Sequence, residues 1–295
     1  MSDLCLLTVH AHPDDESSKG AGSVARYHAE GVRTVLVTCT GGEAGDILNP
    51  AMDRPGIRER LSDVRAEELA RAAAIIGYDE VVMLGYRDSG MPGTADNEDP
   101  RSFAQAPLDE CVERLVAVIR RTRPQVVVTY PEDQSGYPHP DHVRSHEVAT
   151  AAFGAAGDST RYPHAGEPWA PAKLYWVTWS ARRIERTHAA YLRLGMESPF
   201  DEERLARAAA AIAEDKATTV VPITGYTNVA AEALRAHATQ VDPNSRHWFG
   251  LPPEVAETVY PFDEYILARD MTGRPPLGPG QEDDLFAGIR QLAPR

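Results

Sequence analysis

Runs of apolar residues alternate with amphipathic stretches along the first half of the chain. Four short runs of aliphatic and β-branched residues lie at 4–9, 34–39, 81–84 and 126–130. Strands that are covered by helices on both faces are continuously apolar, so these runs predict four buried strands.

Three helical stretches separate these strands. Residues 17–30 and 58–76 are each followed by a glycine, Gly31 and Gly77, the residue type most common just past a helix C-terminus. In 108–119, apolar side chains recur at i, i+3, i+4, i+7 and i+11, which is the spacing of one helix face. The β-α-β-α-β-α-β order predicts an α/β fold with a mainly parallel sheet flanked by helices.

The C-terminal part is less regular. Strand patterns occur at 174–179 and 218–223, and helical patterns occur at 181–194, 202–213 and 229–240. The proline pairs at 252–253 and 275–276 predict surface coil. We expect a single domain over 1–295, in which 1–180 form the α/β core and 181–295 complete the fold.

Charge and composition narrow the classes of function. The chain has 295 residues, with 30 Lys plus Arg against 44 Asp plus Glu, and a formal net charge of −14. This acidity argues against a nucleic-acid-binding protein, which needs a broad basic face. The apolar runs fall short of the roughly 20 residues of a membrane helix. The first run is interrupted by His10 and His12, unlike a signal peptide, so we expect neither a nucleic-acid nor a membrane partner.

The cysteines indicate a reducing compartment. Cys5, Cys39 and Cys111 fall in predicted strands or on a helix face, away from polar clusters. Such an odd set of core thiols is typical of a cytoplasmic protein, and we expect that location.

Four polar segments follow the predicted strands. They are 12–16 (HPDDE), 41–43 (GGE), 87–90 (RDSG) and 137–142 (YPHPDH). In an open α/β sheet, ligands bind at the carboxyl ends of the strands. We therefore expect the four segments to meet at one edge of the sheet and to form a single site.

Histidine and carboxylate side chains in these segments suit a metal site. A catalytic zinc ion typically takes three protein ligands and keeps one position for water. His12, Asp15 and His142 supply such a set. The ion lowers the pKa of water from about 15.7 towards about 7, and a second carboxylate must then accept the proton. Asp14, next to a proposed ligand, suits that role.

Two further side chains suit the substrate end of such a reaction. We expect His139 to stabilise charge on the substrate oxygen and to protonate the leaving group. We expect Asp141 to keep His139 protonated, because a nearby carboxylate raises the pKa of an imidazole.

Simpler explanations exist for several of these residues. Asp14 and Asp15 also suit the N-cap and acidic first turn of a helix, and Asp141 suits a helix start after a proline. We expect His10 to be structural or to support the site. We expect Glu16 to accept a hydrogen bond from a ligand imidazole.

The two histidine–aspartate motifs together resemble the metal-dependent N-deacetylases of the LmbE and PIG-L family. The resemblance rests on 11–16 (AHPDDE) combined with 139–142 (HPDH). Within that family, the chain is most similar to the mycothiol S-conjugate amidases. The segments that carry this closer similarity are 10–20 (HAHPDDESSKG), 41–53 (GGEAGDILNPAMD), 136–142 (GYPHPDH), 166–169 (GEPW) and 234–243 (LRAHATQVDP).

The resemblance implies a Rossmann-like fold with one catalytic zinc ion per chain, which ferrous iron replaces in some members. It implies the same ligands, base and acid as the argument from the residues, and it adds Tyr137 as a hydrogen-bond donor to the substrate carbonyl. Arg65 and Asp88 match positions that hold sugar and inositol hydroxyls. Lys19 matches a lysine of the amidases and is expected to contact the acylcysteine portion. His237 lies in a matching segment, and we assign it no role.

The expected reaction is hydrolysis of the amide that joins a cysteine-derived acyl group to glucosaminyl inositol in a mycothiol S-conjugate. The products are a mercapturate (an N-acetylcysteine S-conjugate) and the free aminosugar. The partner is thus a small-molecule thiol–sugar conjugate. We expect 1–180 to carry the metal site and 181–295 to complete the substrate pocket.

Three alternatives stay open. Deacetylation of N-acetylglucosaminyl inositol, or tailoring of a natural product by the same family, uses the same chemistry. A ferrous oxygenase also binds its metal through two histidines and a carboxylate, although usually as His-x-Asp on a β-rich fold rather than the His-x-x-Asp found here. A non-catalytic sugar-binding protein would leave a full metal triad and a base unused.

Overall fold

In the computed structural model, which describes residues 4–134, 136–212 and 215–290, a seven-stranded sheet forms the centre of the molecule. The strands are β1 (Cys5–His10), β2 (Arg33–Thr40), β3 (Glu80–Tyr86), β4 (Val126–Thr129), β5 (Lys173–Thr178), β6 (Thr219–Pro222) and β7 (Phe262–Asp270). Their order across the sheet is β3-β2-β1-β4-β5-β7-β6. The first five strands are parallel, and β7 runs antiparallel between β5 and β6. The predicted fold class is confirmed.

Helices cover both faces of this sheet. They are α1 (Asp15–Ser18), α2 (Ala21–Ala29), α3 (Leu61–Ile76), α4 (Ala95–Glu98), α5 (Leu108–Thr122), α6 (Pro140–Ala155), α7 (Ala181–Arg193), α8 (Glu202–Ala211), α9 (Thr227–Ala236), α10 (Arg246–Phe249) and α11 (Pro253–Val259). Within the described residues, no helix has both the length and the apolar character needed to cross a membrane.

Each face of the sheet has its own apolar core. Successive strand residues point to opposite faces, so Leu7 packs in a core with α5 and α6, whereas Leu6 packs in a core with α2, α3 and α9. The strands β1, β2 and β4 are buried almost throughout, as their continuous apolar runs predict. The prediction of full burial is wrong for β3. This strand lies at the sheet edge and leaves Val81 and Met83 exposed.

The predicted helix at 17–30 is divided into two. α1 ends at Ser18 and α2 begins at Ala21, because Gly20 lies between them in the left-handed region at φ +92°. Glycine adopts that conformation without a steric penalty, and a side chain there would meet the Tyr265 hydroxyl. The predicted stop of α3 at Gly77 is confirmed, with Gly77 at φ 93°.

In the C-terminal part, the predicted helices are present and the predicted coil is only partly correct. α7, α8 and α9 lie within the predicted stretches or overlap them, although residue 213 falls outside the described residues. The prediction of coil is correct at Pro252 and at 275–276 but wrong at Pro253, which begins α11. The strand β7 has no counterpart among the predicted elements. Its acidic residues Asp263 and Glu264 suggest a surface segment, yet both are buried and accept hydrogen bonds from the backbone N–H groups of Ser23 and Ser180.

Candidate active site

A cavity of about 840 Å³ opens at the carboxyl ends of the central strands. Residues from three of the four polar segments line it, among them His12, Asp88 and His142. The fourth segment, 41–43, supports the wall from behind. The Gly42 carbonyl accepts a hydrogen bond from a lining arginine, and the Glu43 carboxylate accepts one from the Asp88 N–H at 3.3 Å. The remaining wall comes from the C-terminal part, including residues 177–179 and 247–248.

Three buried donor atoms converge at the base of this cavity. His12 Nδ1 lies 3.3 Å from Asp15 Oδ2, and His142 Nε2 lies 3.4 Å from the same oxygen. The ligand atoms of His12, Asp15 and His142 all lie within 4.8 Å of one another. A tetrahedral ion with bonds of about 2.1 Å needs donor atoms about 3.4 Å apart, so the spacing and the chemistry of this set fit a metal ion.

The second nitrogen of His12 faces carboxylates. Its Nε2 lies 3.1 Å from Asp141 Oδ2 and 3.6 Å from Asp88 Oδ1. A carboxylate on the far nitrogen is the usual arrangement behind a metal-binding imidazole, because it orients the ring and fixes the tautomer. Burial alone would lower the pKa of His12, but the hydrogen bonds to Asp141 and Asp15 hold it well above its usual value.

A second group of possible ligands shares His12. The ligand atoms of His12, Asp88 and His139 also lie within 4.8 Å of one another. In this group Asp88 lies beside His12 Nε2, the nitrogen that already contacts Asp141 at 3.1 Å. The group around Asp15 uses His12 Nδ1 and keeps the carboxylate contact behind the ring, so it is the better metal site.

Several neighbours hold the Asp15 carboxylate. The Tyr130 hydroxyl donates to Oδ2 at 2.6 Å, and the His12 backbone N–H donates to the same oxygen at 3.0 Å. Lys19 Nζ lies 2.5 Å from Oδ1. Burial would raise the pKa of Asp15, but the charges of Lys19 and His142 hold it well below its usual range.

Two of these neighbours differ from the sequence expectations. Lys19, expected to contact the substrate, pairs with Asp15 at the cavity wall. Tyr130 was predicted only as the end of a strand, yet its ring also stacks on His142 with centroids 4.4 Å apart. The signal for Tyr130 was its place at the carboxyl end of β4, next to a polar loop.

Asp14 presents its carboxylate to the cavity from a strained backbone. Its φ of 113° lies in the left-handed region, which non-glycine residues rarely adopt. The side chain is 28% exposed and accepts a hydrogen bond from Arg65 Nη2 at 3.1 Å. Although Asp14 occupies the N-cap position of α1, its side chain makes no capping bond. The simple helix-cap explanation therefore does not account for it. Burial raises the pKa of Asp14, and the Arg65 charge opposes that shift.

Arg65 is committed to the protein around it. Its two terminal nitrogens donate to the Gly42 carbonyl at 2.5 Å, to the Pro13 carbonyl at 2.6 Å and to the Asp14 carboxylate. The guanidinium is buried and orients Asp14, so positioning of that carboxylate is its evident structural effect.

The Asp88 carboxylate is also affected by its surroundings. Burial would raise the pKa of Asp88, but contact with His12 holds this pKa below its usual range.

The expected contact between the Asp141 carboxylate and His139 is replaced by another. The Asp141 carboxylate accepts from the Ser89 N–H at 2.9 Å and from the Ser89 hydroxyl, and it contacts His12. Its backbone N–H, at the start of α6, donates to His139 Nδ1 at 3.2 Å. Because Nδ1 accepts, the proton of a neutral His139 ring lies on Nε2. Burial, reinforced by the charge of His12, lowers the pKa of His139 to about 4 and favours its neutral ring.

Tyr137 lies at the mouth of the cavity. Its side chain is 57% exposed, and its ring centroid lies 5.4 Å from that of His142 and 6.0 Å from that of His139. From this position the hydroxyl can reach a molecule that enters the cavity.

Sequence reasoning missed one buried pair below the site. His237 Nε2 lies 2.7 Å from Glu16 Oε1, and both side chains are fully buried. The expectation that Glu16 accepts from a metal-binding imidazole is wrong, since its other partners are the Ser17 hydroxyl and the Asp14 backbone N–H. The only signal for His237 was its place in a segment that matches the family.

Comparisons with known proteins show which proteins this chain is similar to. The family model described as "PIG-L: GlcNAc-PI de-N-acetylase" matches residues 7–153, which include the proposed ligands. The mycothiol S-conjugate amidase of Streptomyces coelicolor is 42% identical over 299 residues, covering 98% of this chain and 99% of that protein. The 1D-myo-inositol 2-acetamido-2-deoxy-alpha-D-glucopyranoside deacetylase of Streptomyces avermitilis is 40% identical over 303 residues, covering 98% of each.

Solved structures support the fold. The N,N'-diacetylchitobiose deacetylase of Pyrococcus horikoshii superposes with a TM-score of 0.61 at 15% identity, covering 89% of this chain and 83% of that one. At this identity the likeness concerns the fold alone.

Proposed function

The chain belongs to the PIG-L family and hydrolyses amide bonds, and from this premise we propose that its substrate is a mycothiol S-conjugate. The products would be a mercapturate and glucosaminyl inositol. The 42% identity to a mycothiol S-conjugate amidase supports this substrate, and the group His12, Asp15 and His142 with the separate carboxylate of Asp14 supports the hydrolysis. Membership in a family of amide hydrolases removes the oxygenase and the idle sugar-binding alternatives.

We propose one Zn²⁺ per chain, held by His12, Asp15 and His142, with Fe²⁺ as the alternative ion. Bound there, the ion supplies Lewis-acid chemistry that acidifies water and polarises a carbonyl oxygen. Asp141 and Tyr130 orient two of the ligands through the hydrogen bonds described above.

Asp14 is proposed to take the proton from the attacking water. Its carboxylate faces the cavity, and the guanidinium of Arg65 fixes its direction. Hydrolysis breaks the amide C–N bond, and the departing amine takes up a proton. Burial raises the pKa of Asp14 and so favours the protonated carboxyl that can return this proton.

His139 and Tyr137 are proposed to act on the substrate oxygen. The backbone N–H of Asp141 occupies His139 Nδ1, which leaves the N–H at Nε2 as a donor towards charge that develops on the carbonyl. This role needs a neutral ring, and the lowered pKa of His139 provides one. A role for His139 as the acid would instead require the charged ring.

The sugar and the acyl group are proposed to occupy opposite sides of this centre. Asp88 lines the cavity and bears a carboxylate that suits hydroxyls, whereas the guanidinium of Arg65 on the same wall positions Asp14. Lys19 lines it close to Asp15 and is proposed to face the acylcysteine portion. The cavity volume of about 840 Å³ supports a substrate larger than an N-acetyl sugar alone.

The test is to incubate the zinc-loaded protein with a mycothiol conjugate and to detect the mercapturate by mass spectrometry. Protein stripped of metal and the Asp14→Asn variant are the controls. We expect the mercapturate and glucosaminyl inositol in equal amounts with the wild type only. Absence of product with every divalent metal tested would contradict the proposal.

Deacetylation of N-acetylglucosaminyl inositol is the second candidate. The observation that favours it is the 40% identity to a relative that carries the deacetylase name. Specificity is a difference in transition-state binding, so kcat/KM for the two substrates decides between them. A higher kcat/KM for the acetylated sugar than for any S-conjugate would assign the deacetylase activity.

A further inference from the structure

A second cavity of about 190 Å³ adjoins the catalytic cavity. Helices α7, α9 and α11 and the loops around α10 enclose it. The two cavities share part of their walls, so they lie directly next to each other. The shared residues are Ser18, Trp179, Arg204, Leu234, His247 and Trp248.

The wall of the second cavity consists mainly of apolar and aromatic side chains. Aromatic rings and aliphatic side chains make up most of it, including Phe200, Ile184 and Leu251. On this wall the buried Thr227 hydroxyl has no hydrogen-bond partner among the described residues, whereas five other polar side chains are bonded to protein groups. The lining residues engaged in this way are Ser17, Ser18, Arg183, Tyr191 and Tyr260.

An aromatic cluster forms the boundary between the cavities. The His247 ring lies 4.6 Å from Trp248, 5.7 Å from Phe200 and 6.3 Å from Trp179, measured between centroids. Burial, followed by the charge of Arg204, lowers the pKa of His247 to about 4, so this ring is neutral and adds to the apolar wall. These distances are those of rings packed against one another, so the cluster forms an aromatic wall of the cavity.

We propose that the second cavity binds the S-substituent of the conjugate and selects compact aromatic or apolar substituents. The inference rests on the proposed function. The sugar and inositol carry many hydroxyls, and the mainly apolar wall would leave most of them without partners after they lose water. An apolar cavity of about 150 Å³ holds one benzene molecule. The second cavity, at about 190 Å³, therefore suits a benzyl-sized group.

The wild type provides the first test, with S-benzyl and S-methyl conjugates of mycothiol as probes. Extra apolar groups that enter a pocket raise kcat/KM by about tenfold or more. We expect the S-benzyl conjugate to be preferred by at least that factor. Equal kcat/KM for the two conjugates would overturn the inference while leaving the proposed function intact. Failure to hydrolyse either conjugate would refute the proposed function itself.

A filled cavity provides the second test. Ala256 on α11 lines the second cavity but not the catalytic one, so Ala256→Phe occupies the space proposed for the substituent. We expect a loss of about tenfold or more in kcat/KM for the S-benzyl conjugate, and a change within about twofold for the S-methyl conjugate. Retained S-methyl activity also reports that the variant is folded.

Two further variants complete this experiment. Ala209→Phe is the matched control, because Ala209 is exposed on α8 and lines neither cavity. Ala231→Phe, on α9, fills the same cavity from another side. Equal losses on both conjugates, or no loss on either, in Ala256→Phe and Ala231→Phe would overturn the assignment of this cavity.

Discussion

His237 Nε2 and Glu16 Oε1 lie 2.7 Å apart, and this buried pair ties the C-terminal part to the catalytic loop. The other oxygen of Glu16 accepts the backbone N–H of Asp14 at 2.9 Å. The left-handed backbone of Asp14 is thus fixed by two contacts. Glu16 accepts its N–H, and Arg65 donates to the preceding carbonyl of Pro13. The conformation of the proposed base depends on a histidine that lies at the C-terminal end of α9.

Removal of His237 should destabilise the protein strongly. In His237→Ala, Glu16 would be left as a buried, unpaired carboxylate, and breaking such a pair costs about 3–5 kcal/mol. His237→Gln keeps an N–H donor and should lose less. Urea unfolding measures both, and His164→Ala, at an exposed histidine, should change the free energy of unfolding by less than about 0.5 kcal/mol. Equal stability of the two alanine variants would show that the pair contributes nothing.

The same pair predicts a pH dependence of stability. Burial would lower the pKa of His237, but the Glu16 charge raises it above its usual value. Stability from this shift is fully present below the pKa of His237 in the unfolded chain and is lost as pH rises through the raised pKa. The stability difference between wild type and His237→Gln should therefore shrink as pH rises through that range. A difference that stays constant across it would contradict the charged pair.

Arg65→Lys separates a positioning role from a sugar-binding role. A lysine ammonium cannot reach the Gly42 and Pro13 carbonyls and Asp14 together, so the Asp14 carboxylate should lose its orientation. We expect kcat to fall between about 10-fold and 10²-fold with little change in KM. Arg58→Lys, at an exposed position, serves as the control. A rise in KM with unchanged kcat would indicate that Arg65 binds substrate hydroxyls instead.

Asp14→Asn tests the proposed base. Asparagine tolerates a left-handed backbone, so this substitution removes the carboxylate charge with little change in local structure. We expect a bound metal ion to be retained and kcat to fall about 10²–10⁴-fold, the usual effect of losing a general base. Metal content by elemental analysis and steady-state kinetics measure the two effects. Loss of metal from this variant would mean that Asp14 and Asp15 have exchanged roles.

The sequence predicts the sheet well where strands are uniformly apolar. β1, β2 and β4 follow from their runs, and the meeting of polar loops follows because parallel strands end at one edge. The sequence does not predict β7. Its residues Asp263 and Glu264 are buried because backbone N–H groups from distant parts of the chain donate hydrogen bonds to their carboxylates.

Contacts between distant parts of the chain are the other limit of prediction. Glu16 and His237 are 221 positions apart, and no local pattern reports that they meet. The partners of Asp141 also depend on a distant strand, because Ser89 follows β3, and β2 and β1 separate β3 from β4 in the sheet. Motif spacing therefore predicts which residues gather at the site, but their hydrogen-bond partners require the three-dimensional structure.

Calorimetric titration of metal-stripped protein with Zn²⁺ tests the central claim most directly. The account predicts one ion per chain for the wild type, loss of binding in Asp15→Asn and retained binding in Asp88→Asn. Two possible ligand groups share His12. Asp15→Asn disrupts the group with His142, and Asp88→Asn disrupts the group with His139. Binding that survives in Asp15→Asn and disappears in Asp88→Asn would contradict the assignment of His12, Asp15 and His142 as the metal centre.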